Sequence, residues 1–262
     1  MKILVITKPR TRSSFLCSAL TNYYNIANKH ESFSFVEKQY DELRVRFGLL
    51  KQKIELHDIE KYQKLHLEEI NRNLKSQDNY VTKLFARDLI FTYNGPIIRD
   101  ENLFQHEIYL NFNEIFKIQD YDTIYFLDRN FIESAISFAF AATTSSFLYL
   151  DLSELNYKKK KFKKIYIPNH ELNLMDYHIY ESVLLLKIKK FLDKENFKYI
   201  DLDYDRCTDY VKNNLDCKKP NGYLAGNFNY EEIIENYSSC VERIKNKYLR
   251  FTEQLQNLEF VR

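Results

Sequence analysis

Apolar residues along the chain fall into short runs of strand length, and longer stretches of helical periodicity separate these runs. The first run, Lys2–Thr7, contains four contiguous apolar residues, most of them β-branched, and this pattern predicts a strand that is buried on both faces. Further strands are predicted over residues 30–35, 80–85, 122–127 and 197–202. The chain is therefore expected to build a sheet of about five strands.

The segments between these strands are predicted to be mostly helical. Helices are expected after the loop that follows the first strand and over residues 101–118, 132–142, 172–193 and 230–258. Residues 36–78 predict a helical insertion, and the polar, irregular stretch 143–169 predicts a mobile segment. Because strands and helices alternate, we expect one α/β domain over residues 1–262. It should be a three-layer α/β/α fold with a central, mainly parallel sheet.

Composition restricts the classes of protein that need consideration. The chain has 262 residues with 39 basic and 37 acidic side chains, so a formal net charge of +2 gives it no general affinity for nucleic acid or a membrane surface. No apolar run approaches the roughly 18 residues of a transmembrane helix. The four cysteines show no CxxC spacing. We therefore expect a cytoplasmic protein without a membrane or nucleic-acid partner.

The loop after the first predicted strand combines positive charge with hydroxyl groups. Pro9 ends the strand, and an apolar helix follows the loop. The basic and hydroxyl residues of the loop are Arg10, Thr11, Arg12, Ser13 and Ser14. The serines are expected to cap the helix, whose first amides and positive dipole end face the loop. This arrangement predicts a site for a phosphate-like anion.

A second candidate anion site follows the fourth predicted strand. Arg129 comes directly after that strand, and Ser137 lies eight residues later in the predicted helix. Eight residues are about two helical turns, so the guanidinium and the hydroxyl are able to reach one anion. Parallel sheets bind their ligands at this carboxyl-terminal edge.

Together these two segments resemble the signature of sulfotransferases that use 3′-phosphoadenosine-5′-phosphosulfate (PAPS). TKPRTRSSFL resembles the family's 5′-phosphosulfate loop, T-x-P-[KR]-[ST]-G-[ST]-[ST]-x-L, and DRNFIESAIS resembles its 3′-phosphate motif. Arg10 takes the catalytic basic position, and Arg12 takes the position of the usual glycine. Residues 199–205, YIDLDYD, loosely resemble the later Y-E-D-L segment. The loop is closer to the bacterial, carbohydrate and tyrosylprotein branches than to the cytosolic animal branch.

The resemblance implies a P-loop NTPase-like fold and a reaction. A sulfuryl group would pass from PAPS to an acceptor hydroxyl by in-line displacement, leaving 3′,5′-ADP, without a metal ion. It implies that Arg10 stabilises the leaving phosphate and that the loop binds the phosphosulfate. Arg129 and Ser137 would bind the 3′-phosphate. Glu31, or its neighbour His30, is the candidate base.

The acceptor is expected to be a small molecule or a carbohydrate with a free hydroxyl. The lysine-rich run 158–164 would suit an anionic acceptor, because clustered lysines attract anions. Lys83, in the third predicted strand, is a further candidate contact to sulfate or to such an acceptor. The motifs therefore predict the donor but not the identity of the acceptor.

Two other functions remain open. The chain could be a P-loop-like nucleotide kinase or phosphotransferase, although it lacks G-x-x-x-x-G-K-[ST] and offers only Asp128 as a metal-binding aspartate. It could also be a sulfotransferase-like protein that binds nucleotides without turnover, for which Arg12 in the loop is the hint. Dependence on magnesium separates the first alternative from the sulfotransferase.

Overall fold

The computed structural model describes residues 1–29, 78–86, 90–91, 108–109, 118–144, 164–215 and 229–256, together with Glu68, Arg72 and Leu74. Its strands are β1 (Lys2–Thr7), β2 (Ala27–Asn28), β3 (Tyr80–Phe85), β4 (Ile90–Phe91), β5 (Ile108–Tyr109), β6 (Thr123–Asp128) and β7 (Ile200–Asp203). Five of them form a central sheet in the order β2-β3-β1-β6-β7, with every neighbouring pair parallel. Strands β4 and β5 pair with each other in antiparallel fashion.

The helices that connect and cover the sheet fall into two groups. They are α1 (Ser13–Tyr24), α2 (Phe131–Thr144), α3 (Asn169–Lys194), α4 (Tyr204–Asn214), α5 (Tyr230–Ile233) and α6 (Tyr237–Gln254). Helices α2, α3 and α6 pack together on one face of the sheet, whereas α1 and α4 cover the other.

Alternate side chains of β1 enter the two cores that these helices complete. Leu4 and Ile6 lie in the core with α2, α3 and α6, and Ile3 and Val5 lie in the core with α1 and α4. All four are fully buried, as expected for a strand in the middle of a parallel sheet. The predicted three-layer α/β/α fold with about five parallel strands is confirmed.

The predicted strands agree closely with the observed ones where the structure describes them. The strands over 2–7 and 80–85 are confirmed to the residue, and those over 122–127 and 197–202 are confirmed with displaced ends. The strand over 30–35 falls outside the described residues, and β2 lies immediately before it.

Of four predicted helices that the structure describes at least in part, two are confirmed and two are wrong in part. The helices over 132–142 and 172–193 are confirmed and slightly longer than expected. The helix over 101–118 is contradicted at Ile108–Tyr109, which pairs with β4. The single helix over 230–258 is also wrong, because Ile234 leaves helical geometry to pair with Ile165 and thereby separates α5 from α6.

The predicted insertion and the predicted mobile segment are described only in part. Glu68, Arg72 and Leu74 are helical, and Leu74 is buried in the core to which α2, α3 and α6 contribute. Thr143 and Thr144 belong to α2, and Asn169 begins α3, so residues 143–169 are regular at both ends. In the part of the chain that the structure describes, no helix has the length and apolar character needed to cross a membrane.

Three neighbouring strands of the sheet end at one edge. β1 ends at Thr7, β6 ends at Asp128 and β7 ends at Asp203, and the three strands are adjacent and parallel. The residues that follow them therefore gather at the carboxyl-terminal edge of the sheet, which is the usual ligand-binding edge of such folds.

Candidate anion-binding site

The loop between β1 and α1 has an unusual backbone. Arg10 and Arg12 both adopt a left-handed conformation with φ of 67°, which costs a residue with a Cβ atom about 1 kcal/mol or more. Arg12 is the residue before the first turn of α1, and no side chain caps this helix end. The prediction that Ser13 and Ser14 cap the helix is therefore wrong, since both lie inside its first turn.

The positive φ of Arg12 has a direct bearing on the resemblance. Glycine adopts this backbone region without a steric cost, so it suits the same position in the family's loop. The loop here follows such a path even though its residue is arginine. Arginine at position 12 therefore does not prevent a left-handed turn here.

Buried hydroxyl groups fix this loop to the sheet. The Thr11 hydroxyl donates to the Lys8 carbonyl at 2.9 Å and lies 2.6 Å from the Thr7 hydroxyl. The Thr7 hydroxyl also lies 2.9 Å from the carbonyl of Leu127 in β6. Thr11, which the sequence predicted as a ligand contact, is fully buried and uses its hydroxyl to hold the loop together.

Arg10 and Ser137, predicted for two different phosphates, meet in the structure. Arg10 Nε donates a hydrogen bond to Ser137 Oγ at 3.1 Å. The hydroxyl of Tyr230, the first residue of α5, donates to the same oxygen at 3.1 Å. Ser137 is 1% exposed, so these hydrogen bonds are made to a buried hydroxyl.

Arg129 contacts the backbone of Arg10. One of its terminal nitrogens, NH1, donates to the Arg10 carbonyl at 3.4 Å, and its Nε pairs with Glu133 Oε2 at 3.3 Å. The guanidinium carbon stands 4.0 Å from the centre of the Tyr204 ring. Arg129 and Ser137 thus each contact Arg10, Arg129 at its carbonyl and Ser137 at its side chain.

Arg12 turns toward α4. Its guanidinium carbon lies 3.8 Å from the centre of the Tyr204 ring, and its NH1 donates to the Tyr204 carbonyl at 3.2 Å. The same nitrogen donates to the hydroxyl of Thr208. Arg12 therefore connects the loop after β1 to the helix after β7.

The first turn of α1 is in contact with a lysine from β3. Lys83 Nζ donates to Ser14 Oγ at 3.0 Å, and the lysine is only 2% exposed. Ser13 is also buried. A buried ammonium group thus stands next to the positive end of the helix dipole, where the two favour an anion together.

Lys8 is a residue of this edge that the sequence reasoning missed. Its Nζ forms an ion pair with Asp128 Oδ1 at 2.8 Å and donates to the Arg129 carbonyl at 2.9 Å. Its side chain is 1% exposed, and this burial lowers the lysine pKa below its ordinary value, while Asp128 opposes the shift. A lysine between a strand and a proline gives no sequence signal of such burial.

Basic side chains gather at this edge of the sheet, where they attract anions. In the part of the chain that the structure describes, these are Lys8, Arg10, Arg12, Lys83, Arg129 and Arg206, and the carboxylates near them are Asp128, Glu133, Glu181 and Asp203.

The candidate bases Glu31 and His30 lie outside the described residues. Within the described residues, no group of three or more His, Cys, Asp or Glu side chains is arranged to hold a metal ion. A scan against protein-family models and a search of curated proteins found no match to this chain.

Proposed function

We propose that the chain is a PAPS-dependent sulfotransferase that acts on an acceptor hydroxyl. The observation that carries the proposal is that Arg10 contacts both Ser137 and Arg129 at the carboxyl-terminal edge of the parallel sheet, with Arg10 Nε 3.1 Å from Ser137 Oγ and the Arg10 carbonyl 3.4 Å from Arg129 NH1. These three residues match the two motifs that define the resemblance. The proposal is therefore supported by sequence order and by spatial proximity.

The chemistry of the donor fits this cluster of residues. PAPS carries its 3′-phosphate and its 5′-phosphosulfate on one ribose, so the protein groups that hold the two must adjoin. Arg10 contacts Ser137 through its side chain and Arg129 through its backbone carbonyl. These contacts support neighbouring sites for the 3′-phosphate and the 5′-phosphosulfate. Arginine suits this task because its planar guanidinium offers several N–H donors to oxyanions.

We assign separate tasks to the residues of the site. Arg129 and Ser137 bind the 3′-phosphate, and the amides at the start of α1 with Ser13 and Ser14 bind the 5′ end. Arg10 neutralises negative charge that develops on the leaving phosphate. Lys83, which contacts Ser14, contributes positive charge to the same end.

The transfer itself requires one bond to form and one to break. The acceptor oxygen forms a bond to sulfur as the bond from sulfur to the bridging phosphate oxygen breaks, and 3′,5′-ADP leaves with that oxygen. The acceptor proton passes to a base, for which we propose Glu31 or His30 from the sequence. Glu31→Gln should lower kcat by roughly 10²- to 10⁴-fold with little change in the Kd for 3′,5′-ADP. If His30→Ala has that effect and Glu31→Gln does not, the base is the histidine.

Asp128, the candidate metal-binding aspartate of the alternative kinase, is used by the protein itself. Its Oδ1 accepts from Lys8 Nζ at 2.8 Å and from the Arg129 amide at 2.7 Å. The carboxylate thereby connects the two strand ends that carry Lys8 and Arg129, a structural role that the proposed sulfotransferase accommodates.

The proposed acceptor is a small molecule or a carbohydrate, and the proposed compartment is the cytoplasm. Cys17, Cys207 and Cys240 are buried thiols, which is compatible with a reducing compartment.

Transfer of radiolabelled sulfate from PAPS tests the proposal. The purified protein is incubated in excess EDTA with p-nitrophenol, tyramine or an N-acetylglucosamine oligosaccharide as acceptor. Label should reach at least one acceptor, and Arg10→Ala should abolish most of the transfer. Phosphate transfer from ATP that requires magnesium would point to the kinase instead. Tight binding of 3′,5′-ADP without any transfer would support the non-catalytic alternative.

A further inference from the structure

Tyr204 occupies the point where the ends of three neighbouring strands meet. It is the first residue of α4 and follows β7 directly, while Arg12 follows β1 and Arg129 follows β6. The guanidinium carbons of Arg12 and Arg129 lie 3.8 Å and 4.0 Å from the centre of its ring. One aromatic ring thus contacts an arginine from each of the other two strand ends.

We propose that Tyr204 is a positioning residue, which holds Arg12 and Arg129 in place to bind the phosphate groups of the nucleotide. This assignment rests on the proposed function. The ring acts through the two arginines and need not touch the nucleotide itself.

The physical basis is the charge distribution of the aromatic ring. The face of a tyrosine ring is electron-rich and attracts a cation placed over it. A guanidinium that uses its planar face for this contact keeps its N–H donors at its edge, where they remain able to bind phosphate oxygens. A cation–π contact therefore fixes an arginine without consuming the groups that recognise an anion.

The ring also reduces the cost of holding two cations close together. Arg12 and Arg129 carry like charges, which repel each other, and both have long, flexible side chains. Arg12 has a second attachment to α4 through the Tyr204 carbonyl at 3.2 Å and the Thr208 hydroxyl. Arg129 has its second attachment through the Arg10 carbonyl at 3.4 Å. Tyr204 thereby joins the two arginines into one preorganised cationic surface.

Preorganisation of this kind should increase affinity mainly for a ligand that uses both ends of the site. Because Arg129 is assigned to the 3′-phosphate, loss of the aromatic face should weaken 3′,5′-ADP more than 5′-AMP. The proposed contacts use the face of the Tyr204 ring and not its hydroxyl, so phenylalanine at this position should hold the two arginines nearly as well. This separates a role of the ring face from a role of the hydroxyl.

Calorimetric titration with 3′,5′-ADP and 5′-AMP tests the assignment. Tyr204→Phe should bind 3′,5′-ADP within about twofold of the wild type, whereas Tyr204→Leu should bind it about fivefold or more weakly. Tyr210→Leu is the control for loss of a tyrosine from α4, because the Tyr210 ring packs against Tyr125 at 5.8 Å between ring centres.

A fluorination series keeps the test decisive if Tyr204→Leu fails to fold. Mono-, di- and trifluorinated phenylalanine at position 204 retain the shape of the ring while they withdraw electrons from its face. The Kd for 3′,5′-ADP should rise stepwise with fluorination, and thermal unfolding should show that the variants stay folded. A merely structural ring would give the same Kd across the series.

The outcomes separate this inference from the proposed function. If the wild type prefers 3′,5′-ADP to 5′-AMP but fluorination leaves both affinities unchanged, the role of Tyr204 is overturned and the nucleotide site stands. Equal losses in Tyr204→Phe and Tyr204→Leu would also overturn it, since they would indicate the hydroxyl. If the wild type binds both nucleotides equally, the 3′-phosphate site itself is wrong and the role of Tyr204 falls with it.

Discussion

Arg10 Nε and Ser137 Oγ lie 3.1 Å apart although 127 residues separate them along the chain. The contact joins the loop after β1 to the second turn of α2, the helix that follows β6. It brings together two residues to which we assign different tasks, leaving-group stabilisation for Arg10 and 3′-phosphate binding for Ser137. In the proposed enzyme, the bound nucleotide would compete with this contact for the arginine and for the hydroxyl.

Ser137→Ala should weaken 3′,5′-ADP binding about tenfold and change 5′-AMP binding little. A hydrogen bond between a hydroxyl and a charged phosphate contributes about 1.5–3 kcal/mol, and tenfold corresponds to about 1.4 kcal/mol. The ratio of the two dissociation constants is the measurement. Ser134→Ala is the matched control, because Ser134 is buried in the same helix and bonds to the Phe131 carbonyl. A similar loss in both variants would assign the effect to the packing of α2.

Arg10→Ala should reduce turnover far more than it weakens 3′,5′-ADP. A group that stabilises charge developing in the transition state lowers kcat when it is removed, and a loss of two orders of magnitude or more is expected. The comparison is kcat against the Kd for the product nucleotide. Arg206→Ala serves as the control, since Arg206 is exposed and pairs with Asp203. Comparable losses in kcat and in affinity would argue against a role in leaving-group stabilisation.

Arg12→Gly should be more stable than Arg12→Ala by about 1 kcal/mol. Both variants lose the guanidinium, but only alanine has a Cβ atom that opposes the left-handed backbone with φ of 67°. Urea unfolding gives the two free energies. Equal stabilities would mean that the loop does not keep this backbone conformation in solution.

The free energy of unfolding of the wild type, compared with that of Lys8→Met, should depend on pH. Burial lowers the pKa of Lys8 from its ordinary value of 10.5, so the folded protein binds fewer protons than the unfolded chain in the range below that value. The free energy of unfolding of the wild type should therefore rise with pH relative to that of Lys8→Met. The slope is at most about 1.4 kcal/mol per pH unit, the limit for one proton.

Urea unfolding at several alkaline pH values measures this difference. Lys212→Met, at an exposed position of α4, is the control for the loss of one lysine charge. The free energy of unfolding of the wild type minus that of Lys8→Met should increase with pH. If this quantity stays constant or decreases as the pH rises, the burial of an ionisable Lys8 is contradicted.

The sequence predicts the elements whose pattern is local. Lys2–Thr7 and Tyr80–Phe85 are confirmed to the residue because runs of apolar and β-branched residues at strand length have few other uses. The break after α5 could not be predicted, because it depends on the pairing of Ile234 with Ile165, a contact between distant parts of the chain. Ile108–Tyr109 is similar, since its strand depends on Ile90–Phe91 as a partner.

The spacing of Arg129 and Ser137 predicts that the two residues bind one anion, and this stays a prediction. In the structure each of them contacts Arg10. Lys8 was missed because its burial depends on Asp128 from another strand. Tyr204 was missed because its importance comes only from the two arginines that the sheet order brings to its ring.

Calorimetric titration of the wild-type protein with 3′,5′-ADP and with 5′-AMP tests the central claim most directly. The two ligands differ only in the 3′-phosphate that we assign to Arg129 and Ser137. We predict that 3′,5′-ADP binds at least about tenfold more tightly, as expected for a charge-assisted contact to one phosphate. Equal affinities for the two nucleotides would contradict the account.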